Sequence, residues 1–500
     1  IASDLRNANV GQSSGPLEIE RLSMDSWDGY PACRDRVLRA GGPALLFGSI
    51  HQQDGVTYNA MILAEGGRIV GRTFKHELPN YGTFDEKRIF AAGPLPAPIE
   101  WRGVKLGVPI CEDIWLQPVC AALAAAGAEI LLVPNGSPFE IDKDDLRLSL
   151  VRARATETGL PLAYVNRVGG QDEIAFDGSS FVINDDGGVV VQMTDWDEAL
   201  FVTDWSRGAN GWRCDTRALA ALDPFPQDIY HAMMVALRDY VGDNGFPGVI
   251  LGMSGGLDSA LSAAIAVDAL GADKVWCVMM PSRFTSQDSL DDAEAAANML
   301  GVRHDVIPIA PGVDALAAML PQVSPLASEN IQARLRMVTL MALSNSHGHM
   351  LLTTGNKSEM SVGYATLYGD MAGGFAVIKD CPKMLVYKLS EHANARAGRD
   401  LIPRAVFTRP PSAELRLDQT DQDTLPPYAV LDAILECYVE GDQGVADIVA
   451  RGFDAPTVKR VIAMVDRNEY KRRQGAIGIK ITPRAFGKDW RLPIVNKFRE

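Results

Sequence analysis

The chain has 500 residues, enough for roughly two to four domains, and 47% of them are hydrophobic, so it can bury large cores. Its net charge of −15 argues against nucleic acid as the main partner, because nucleic-acid-binding surfaces are basic. No apolar run reaches membrane-spanning length, and the longest candidate, residues 119–133, contains Glu129. The seven cysteines are scattered without a CxxC pair, and no signal peptide is recognisable. We therefore expect a cytoplasmic protein with reduced thiols.

Residues 1–205 predict a layered α/β domain. The first forty residues show no clear period, whereas the pattern beyond them alternates between strands, hairpins and helices. The predicted strands are 43–49 (buried), 57–63, 68–74, 104–110, 129–133 and 162–165, with a hairpin at 180–193 and helices after residue 111 and at 142–157.

Two motifs in this domain carry chemistry. Cys111 ends a predicted strand in VPICEDIW, where a nucleophile can be held with the next backbone N–H as an oxyanion donor. Alone, such a cysteine is more often buried packing, and Lys75 alone would be surface charge. In combination, CEDIW and residues 75–90, KHELPNYGTFDEKRIF, resemble the nitrilase (carbon-nitrogen hydrolase) superfamily. The match is closest to the glutaminase domain of glutamine-dependent NAD⁺ synthetases.

That resemblance implies a Cys-Lys-Glu catalytic set. Cys111 would attack the glutamine carboxamide, and Lys75 would orient and stabilise the charged intermediate while favouring the thiolate. The family's general-base Glu precedes a GYP segment, which residues 29–31 match loosely, so Glu20 is the best candidate. Without the base, glutamine hydrolysis should be severely impaired. The positions that match the glutamine-binding residues of the family are Tyr81, Ser137 and Lys143.

Residues 206–223 lack strong periodicity and are predicted to be a linker, and residues 224–500 alternate strand and helix. The predicted strands are 249–251, 275–281, 304–308 and 350–354, and the predicted helices are 227–242, 260–270, 288–300, one after Gly312, and 330–346, with Ser328 as a possible N-cap. This order predicts a doubly wound parallel sheet with ligands at the carboxyl ends of its strands.

The most informative stretch is residues 248–271, GVILGMSGGLDSALSAAIAVDALG. Strand, glycine-containing turn and helix bring backbone N–H groups and a positive helix end to one point, which suits phosphate. Asp258 can hold a Mg²⁺ that bridges phosphate oxygens. The loop is neither a Walker A motif nor a GxGxxG fingerprint. SGGLDS after a strand resembles the pyrophosphate loop of the ATP pyrophosphatase superfamily, whose members adenylate their substrate.

Five further loops match NAD⁺ synthetases in sequence order, although each alone could be a solvated loop. They are residues 281–286, with Phe284 where Tyr is common, 328–334, 353–359, 364–380 and the Pro-rich 407–428, which is long enough to be a lid. The resemblance implies ATP binding by Gly252, Ser254, Gly255, Gly256, Asp258, Ser259 and Thr354. It implies Mg²⁺ binding by Asp258 and Glu359. It implies deamido-NAD⁺ binding by Asn330, Arg334, Glu359, Asp370, Lys383 and Lys471. Lys383 can also supply a cation for the charge that develops at the α-phosphate.

The resemblances together imply a nitrilase-like α-β-β-α sandwich followed by a Rossmann-like ATP pyrophosphatase domain. The expected activity is ATP-dependent amidation of deamido-NAD⁺ with ammonia from L-glutamine, giving NAD⁺, AMP and pyrophosphate. We expect a homo-oligomer, at least a dimer, with small-molecule substrates and neither nucleic acid nor membrane as partner. The alternatives are an ammonia-dependent synthetase with an impaired glutaminase domain, another pyrophosphate-loop ligase such as a GMP or asparagine synthetase type, and a non-catalytic nucleotide-binding or scaffold protein.

Overall fold

The computed structural model describes residues 43–320 and 322–495. Within these residues the chain forms two compact units. The first unit comprises residues 43–138, 142–168 and 176–222, and the second comprises residues 139–141, 169–175 and 223–495. In the described residues, every helix is too short or too polar to cross a bilayer.

The first unit contains two main sheets. An antiparallel sheet consists of β1 (Leu45–Gln53), β2 (Val56–Glu65) and β3 (Arg68–Phe74). The larger sheet has the order β14-β11-β10-β7-β6-β5-β4 and consists of β4 (Ile99–Trp101), β5 (Val104–Gly107), β6 (Ile130–Asn135), β7 (Leu162–Asn166), β10 (Phe181–Ile183), β11 (Val189–Gln192) and β14 (Ala218–Leu219). The remaining elements are the pair β12 (Trp205–Gly208) with β13 (Gly211–Cys214) and helices α1 (Gln117–Ala125) and α2 (Lys143–Thr158). A further pair, β8 (Val168–Gln171) with β9 (Ile174–Asp177), has residues in both units, because residues 169–175 belong to the second.

The centre of the larger sheet is the parallel pair β6 and β7, which runs in register from Leu131 opposite Leu162 to Asn135 opposite Asn166. Apolar residues of both strands are buried against α1 and α2 in one core. Because parallel strands end at the same edge, the loops that follow β6 and β7 lie side by side. This arrangement places the segment around Ser137 next to Asn166.

One sequence expectation for this unit needs correction, and the structure adds short strands to another. The first strand was expected to be buried, but β1 is half-buried because it is the edge strand of its sheet. Residues 206–223 were predicted to be a linker without strong periodicity, and β12, β13 and β14 lie largely within them, with β14 pairing in parallel with β11. Strands of two to four residues are too short to produce a recognisable period.

The second unit is built on a six-stranded parallel sheet with the order β17-β16-β15-β18-β19-β20. Its strands are β15 (Val249–Gly252), β16 (Val275–Met279), β17 (Arg303–Val306), β18 (Met350–Thr353), β19 (Phe375–Ala376) and β20 (Ile477–Gly478). Its helices are α3 (Gln227–Asp243), α4 (Leu257–Leu270), α5 (Gln287–Leu300), α6 (Ala310–Met319), α7 (Pro325–His347), α8 (Lys357–Val362), α9 (Lys383–Ala397), α10 (Arg404–Thr408), α11 (Tyr428–Leu435), α12 (Val445–Ala450), α13 (Ala455–Arg467) and α14 (Glu469–Arg472).

The expected doubly wound parallel sheet is confirmed, and β15, β16 and β18 are almost entirely buried, as parallel strands covered on both faces must be. Two helix starts differ from the prediction. Helix α4 begins at Leu257, so Asp258 lies in its first turn. Helix α7 begins at Pro325, and its N-cap is Ser324 rather than Ser328, because the Ser324 hydroxyl accepts the N–H of Ala327 at 3.2 Å.

A substitution of Ile250 in β15 tests how much the centre of this sheet contributes to the free energy of unfolding of the second unit. The side chain of Ile250 is fully buried, so Ile250→Ala should lower the free energy of unfolding by about 2–5 kcal/mol through lost burial and a new cavity. Val306→Ala, on the edge strand and 54% exposed, should change it by less than about 0.5 kcal/mol. Hydrogen–deuterium exchange of β15 and β16 peptides in urea measures both. Equal effects of the two substitutions would contradict this packing.

Candidate active sites

In the first unit, Lys75 follows directly after β3 and is 1% exposed. Its ε-ammonium donates to both carboxylate oxygens of Glu86, each at 2.8 Å. Burial opposes the charge of the ammonium, but Cys111 and Glu86 raise the pKa of Lys75 above its ordinary value. Lys75 is therefore held as a cation close to the cysteine.

Cys111 opens a short 3₁₀ turn, Cys111–Ile114, with a φ of +48°. A non-glycine residue in this left-handed region is strained, and such strain persists only where its surroundings enforce it. The fully buried carboxylate of Asp113 supplies part of that enforcement. It accepts the N–H groups of His76 at 3.1 Å, Glu77 at 2.7 Å and Ile110 at 2.9 Å. One carboxylate thus ties the segment after Lys75 to the segment before Cys111.

The thiol of Cys111 experiences opposing influences. Burial raises its pKa above the ordinary value, while the Lys75 ammonium and a hydrogen bond from the Gly136 backbone lower it. Burial outweighs these two influences, so the pKa of the Cys111 thiol lies above its ordinary value.

The residues predicted to bind glutamine differ in exposure and in their contacts. The exposed Tyr81 donates its hydroxyl to Glu112, the neighbour of Cys111, at 2.8 Å. Ser137 is buried and follows Gly136, whose backbone lowers the pKa of the Cys111 thiol. Lys143 is half-buried and is the first residue of α2. Glu20, predicted as the general base, lies outside the described residues.

In the second unit, the glycine-containing loop joins β15 to α4. The Ser254 hydroxyl accepts the N–H of Gly256 at 3.2 Å, and the Ser254 N–H donates to the Ser259 hydroxyl, also at 3.2 Å. Gly255 has a φ of +79°, and a Cβ at this position would lie 2.3 Å from the carbonyl oxygen of Ser289. Only glycine allows the loop to pack this closely against the start of α5.

Polar groups from three elements converge beside this loop. Asp258 forms an ion pair with the ε-ammonium of Lys383, which begins α9 and is 3% exposed. Asn356, the N-cap of α8, donates to Asp258 at 3.1 Å and is capped in return by Glu359. Burial, together with the negative charge of Asp258, raises the pKa of Glu359 to about 8. Two carboxylates and one ammonium therefore share a site at the phosphate-binding loop.

Four residues predicted to bind deamido-NAD⁺ belong to one loop, residues 363–370, or form hydrogen bonds with it. The side chain of Asn330 accepts the Thr366 hydroxyl at 2.9 Å, and Arg334 donates to the Leu367 carbonyl at 3.2 Å. The buried Asp370 accepts the Thr366 N–H at 2.7 Å. Lys471 donates to the carbonyls of residues 363 and 365, each at 2.7 Å.

A cavity of about 320 Å³ lies beside the glycine-containing loop within the second unit. Its lining includes the glycine-containing loop with Asp258 and Ser259, and also Thr354, Glu359, Asp370 and Lys383. Residues 409–415 and Asp421, which belong to the segment predicted as a lid, line it as well. The Glu414 carboxylate holds that segment by accepting the hydroxyls of Ser286 at 2.7 Å and Ser289 at 2.9 Å. Asn330, Arg334 and Lys471 do not belong to this lining.

Comparisons with known proteins agree with both halves of the chain. A carbon-nitrogen hydrolase family model matches residues 35–210, and an NAD synthase family model matches residues 229–475. The chain is 51% identical over 472 residues to the glutamine-dependent NAD(+) synthetase of Rhodobacter capsulatus, covering 92% of this chain and 85% of that relative. It is 47% identical over 466 residues to the synthetase of the same name from Acinetobacter baylyi, covering 91% and 85%.

The chain belongs to the glutamine-dependent NAD(+) synthetases. A solved glutamine-dependent NAD+ synthetase from Acinetobacter baumannii, in complex with ADP, superimposes with a TM-score of 0.74 at 42% identity and covers 97% of this chain and 90% of that one. The expected combination of a nitrilase-like domain with a parallel-sheet synthetase domain is therefore confirmed.

Sequence reasoning missed several residues of this NAD⁺ synthetase. Glu86 lies inside the motif of residues 75–90, and Asp113 lies two positions after Cys111, so both were within motifs already recognised. Their partners, however, depend on how the chain folds. Glu414 lies in a Pro-rich segment without periodicity, and nothing in the sequence pairs it with Ser286, which is 128 residues away.

The Lys75 ammonium is expected to lower the pKa of the Cys111 thiol. Lys75→Met keeps most of the side-chain volume and removes the charge, so the pKa of Cys111 should rise further above its ordinary value. The pH dependence of iodoacetamide alkylation, followed on the Cys111 peptide by mass spectrometry, measures this. The exposed Lys105→Met is the matched control and should leave the profile unchanged. An unshifted profile in Lys75→Met would contradict the electrostatic role of Lys75.

Proposed function

We propose that this protein synthesises NAD⁺ by amidating deamido-NAD⁺ with nitrogen from L-glutamine, at the expense of ATP. The observation that carries the proposal is that one chain contains both a half-buried cysteine, Cys111, beside the buried Lys75 and a glycine-containing loop with its own buried lysine, Lys383. The two groups serve two half-reactions, one that releases ammonia and one that consumes it.

The first half-reaction takes place at Cys111. Its thiolate attacks the carboxamide carbon of glutamine, the C–N bond breaks, and ammonia leaves with a proton supplied by the site. Water then hydrolyses the thioester and releases glutamate. Lys75 stabilises the negative charge that develops, and Glu86 keeps Lys75 charged and in place. Tyr81, Ser137 and Lys143 bind glutamine, and Glu20 is the general base that we predict.

The second half-reaction takes place at the glycine-containing loop. The nicotinate carboxylate of deamido-NAD⁺ attacks the α-phosphorus of ATP, and pyrophosphate leaves. Ammonia then attacks the adenylated carbonyl carbon, and AMP leaves. Gly252, Ser254, Gly255, Gly256, Ser259 and Thr354 hold ATP, and Asn330, Arg334, Asp370 and Lys471 hold deamido-NAD⁺. Lys383 stabilises the charge that develops at the α-phosphate.

A magnesium ion fits the pair Asp258 and Glu359. The described residues contain no group of three or more His, Cys, Asp or Glu side chains placed to hold a metal ion. Mg²⁺ commonly binds through one or two carboxylates together with phosphate oxygens, so two carboxylates at a phosphate loop suffice. When bound there, the ion would neutralise charge on the phosphates. The raised pKa of Glu359 supports this assignment, since a cation would relieve the repulsion between the carboxylates.

We further propose that the enzyme acts in the cytoplasm as a homo-oligomer of at least two chains, with small-molecule substrates and neither nucleic acid nor membrane as partner. The described cysteines, which are Cys111, Cys120, Cys214, Cys277, Cys381 and Cys437, are free thiols, as a reducing compartment favours.

Replacing the nucleophile separates the two half-reactions. Cys111→Ala should lower glutamine-driven NAD⁺ synthesis by at least about 1,000-fold, because no thioester can form, and should leave ammonium-driven synthesis within about twofold. Measuring NAD⁺ and AMP with each nitrogen donor tests this. Cys120→Ala, a buried cysteine in the core of the same unit, is the matched control and should retain both activities.

Two results would contradict this proposal. Equal glutamine-driven rates in Cys111→Ala and the unchanged protein would exclude Cys111 as the nucleophile. Activity of the unchanged protein with ammonium but not with glutamine would favour the alternative function, an ammonia-dependent synthetase with an impaired glutaminase unit.

The pKa of Glu359 predicts proton release when Mg²⁺ and ATP bind. A pKa of about 8 means that Glu359 is mostly protonated near neutral pH, and a cation displaces that proton. The affinity for Mg²⁺ with ATP should therefore increase with pH up to about 8 and then level off. Calorimetry in two buffers of different ionisation enthalpy should detect close to one proton per site at neutral pH and almost none well above pH 8.

Glu359→Gln should abolish this proton release, whereas Glu391→Gln, an exposed carboxylate on α9, should leave it unchanged. Proton release that persists in Glu359→Gln would assign the titration to another group and weaken the magnesium assignment.

A further inference from the structure

The turn that follows β6 is held by one amide side chain. The side-chain oxygen of Asn166 accepts the N–H of Ser137 at 2.9 Å, and its nitrogen donates to the carbonyl oxygen of Ser137 at 3.1 Å. Asn166 therefore satisfies both backbone groups of one residue, as a neighbouring strand would. Both residues are buried, so neither bond can be replaced by bulk water without cost.

A buried ion pair fixes the orientation of this amide. The nitrogen of Asn166 also donates to Asp177 at 3.1 Å, and Asp177 is held by Arg147 through bonds of 2.9 and 3.3 Å. Because an ionised carboxylate only accepts hydrogen bonds, Asp177 requires the nitrogen end of the amide on its side. The oxygen end must then face the N–H of Ser137. Arg147 and Asp177 are each about 1% exposed, so the pair is screened from solvent and salt.

The turn under this clamp lies close to the thiol. Strand β6, which leads into it, contacts the turn Cys111–Ile114, and the Gly136 backbone lowers the pKa of the Cys111 thiol. Ser137 follows Gly136 directly. Rotation of the Gly136–Ser137 peptide would therefore move a donor to the nucleophile and a proposed glutamine contact together. Misplacement of such groups by about 1 Å can cost a factor of about 100 in rate.

We propose that Asn166 is a positioning residue for glutamine hydrolysis, which sets the Gly136–Ser137 peptide through its two bonds to Ser137, with the Arg147–Asp177 pair fixing its amide orientation. This inference rests on the proposed glutaminase function of the first unit. The inference means that Asn166 affects both the binding of glutamine and the reactivity of the Cys111 thiol. An asparagine with a purely structural role would affect neither.

The same unit offers a matched control. Asn184 is buried and clamps Cys214 in the same way, accepting its N–H at 2.9 Å and donating to its carbonyl at 3.2 Å. Asn166→Leu and Asn184→Leu both replace a buried amide by a branched apolar side chain and remove two bonds to backbone, and Asn166→Leu also removes the bond to Asp177. Asn166→Ser is a smaller variant, since its hydroxyl is too short to bridge both backbone groups of Ser137 and adds no charge beside Asp177.

Two readouts test the proposal. Asn166→Leu should raise the KM for glutamine at least about tenfold and move the pH profile of Cys111 alkylation by iodoacetamide to higher pH, because the hydrogen bond from Gly136 is weakened. Asn166→Ser should change both in the same direction. Asn184→Leu should change neither by more than about twofold. Ammonium-driven NAD⁺ synthesis, catalysed by the second unit, reports the amount of folded protein in each sample.

A wild-type KM and alkylation profile in both Asn166 variants would overturn the proposal, as would identical changes in Asn184→Leu. Should Asn166→Leu fail to fold, Asn166→Ser decides by the same criteria. A wild-type protein that alkylates normally but releases no ammonia from glutamine would contradict the proposed function. In that case the alkylation profiles alone would decide whether Asn166 sets the turn beside Cys111.

Discussion

Burial of a lysine ammonium is the constraint on which both candidate sites depend. Lys75 and Lys383 are 1% and 3% exposed, and an isolated buried charge would cost several kcal/mol. Each is therefore paired with a carboxylate, Lys75 with Glu86 and Lys383 with Asp258. In the proposed mechanism, these pairs hold positive charge, without reorganisation, where negative charge develops during acyl transfer or at a phosphate.

The positions of both sites follow from parallel strands. In the first unit, the ends of β6 and β7 place Ser137 beside Asn166, and in the second unit the ends of β15 and β18 lead into the loop of Asp258 and the cap of Glu359. The carboxyl ends of parallel strands meet at one edge, where loops can carry polar groups without disturbing the core. The sheets hold these loops in position, and the loops carry the residues of the candidate sites.

The sequence was most informative where structure is local. A strand, a glycine-containing turn and a helix around Asp258 could be read from consecutive residues, and so could the motifs around Cys111 and Lys75. Short or edge elements such as β14, with two residues, carry too little periodicity to be recognised. Pairings between distant segments, such as Asn166 with Ser137 and Asp177 with Arg147, depend on strand order and register, which no local pattern specifies.

Residues that form ion pairs or hydrogen bonds with buried groups were the hardest to predict from the sequence. Glu86 and Asp113 look like ordinary charged residues in the sequence, and their roles emerge only because the fold places an ammonium and three backbone N–H groups against them. Glu20 lies outside the described residues, and its role as a base stays a prediction.

Transfer of the amide nitrogen is tested most directly with glutamine labelled by ¹⁵N at its amide. The protein is incubated with this glutamine, deamido-NAD⁺, ATP and Mg²⁺, and the mass of the NAD⁺ product is measured. The account predicts NAD⁺ that is heavier by one mass unit, with equal amounts of AMP. Unlabelled NAD⁺, or no NAD⁺ with glutamine as the nitrogen source, would contradict it.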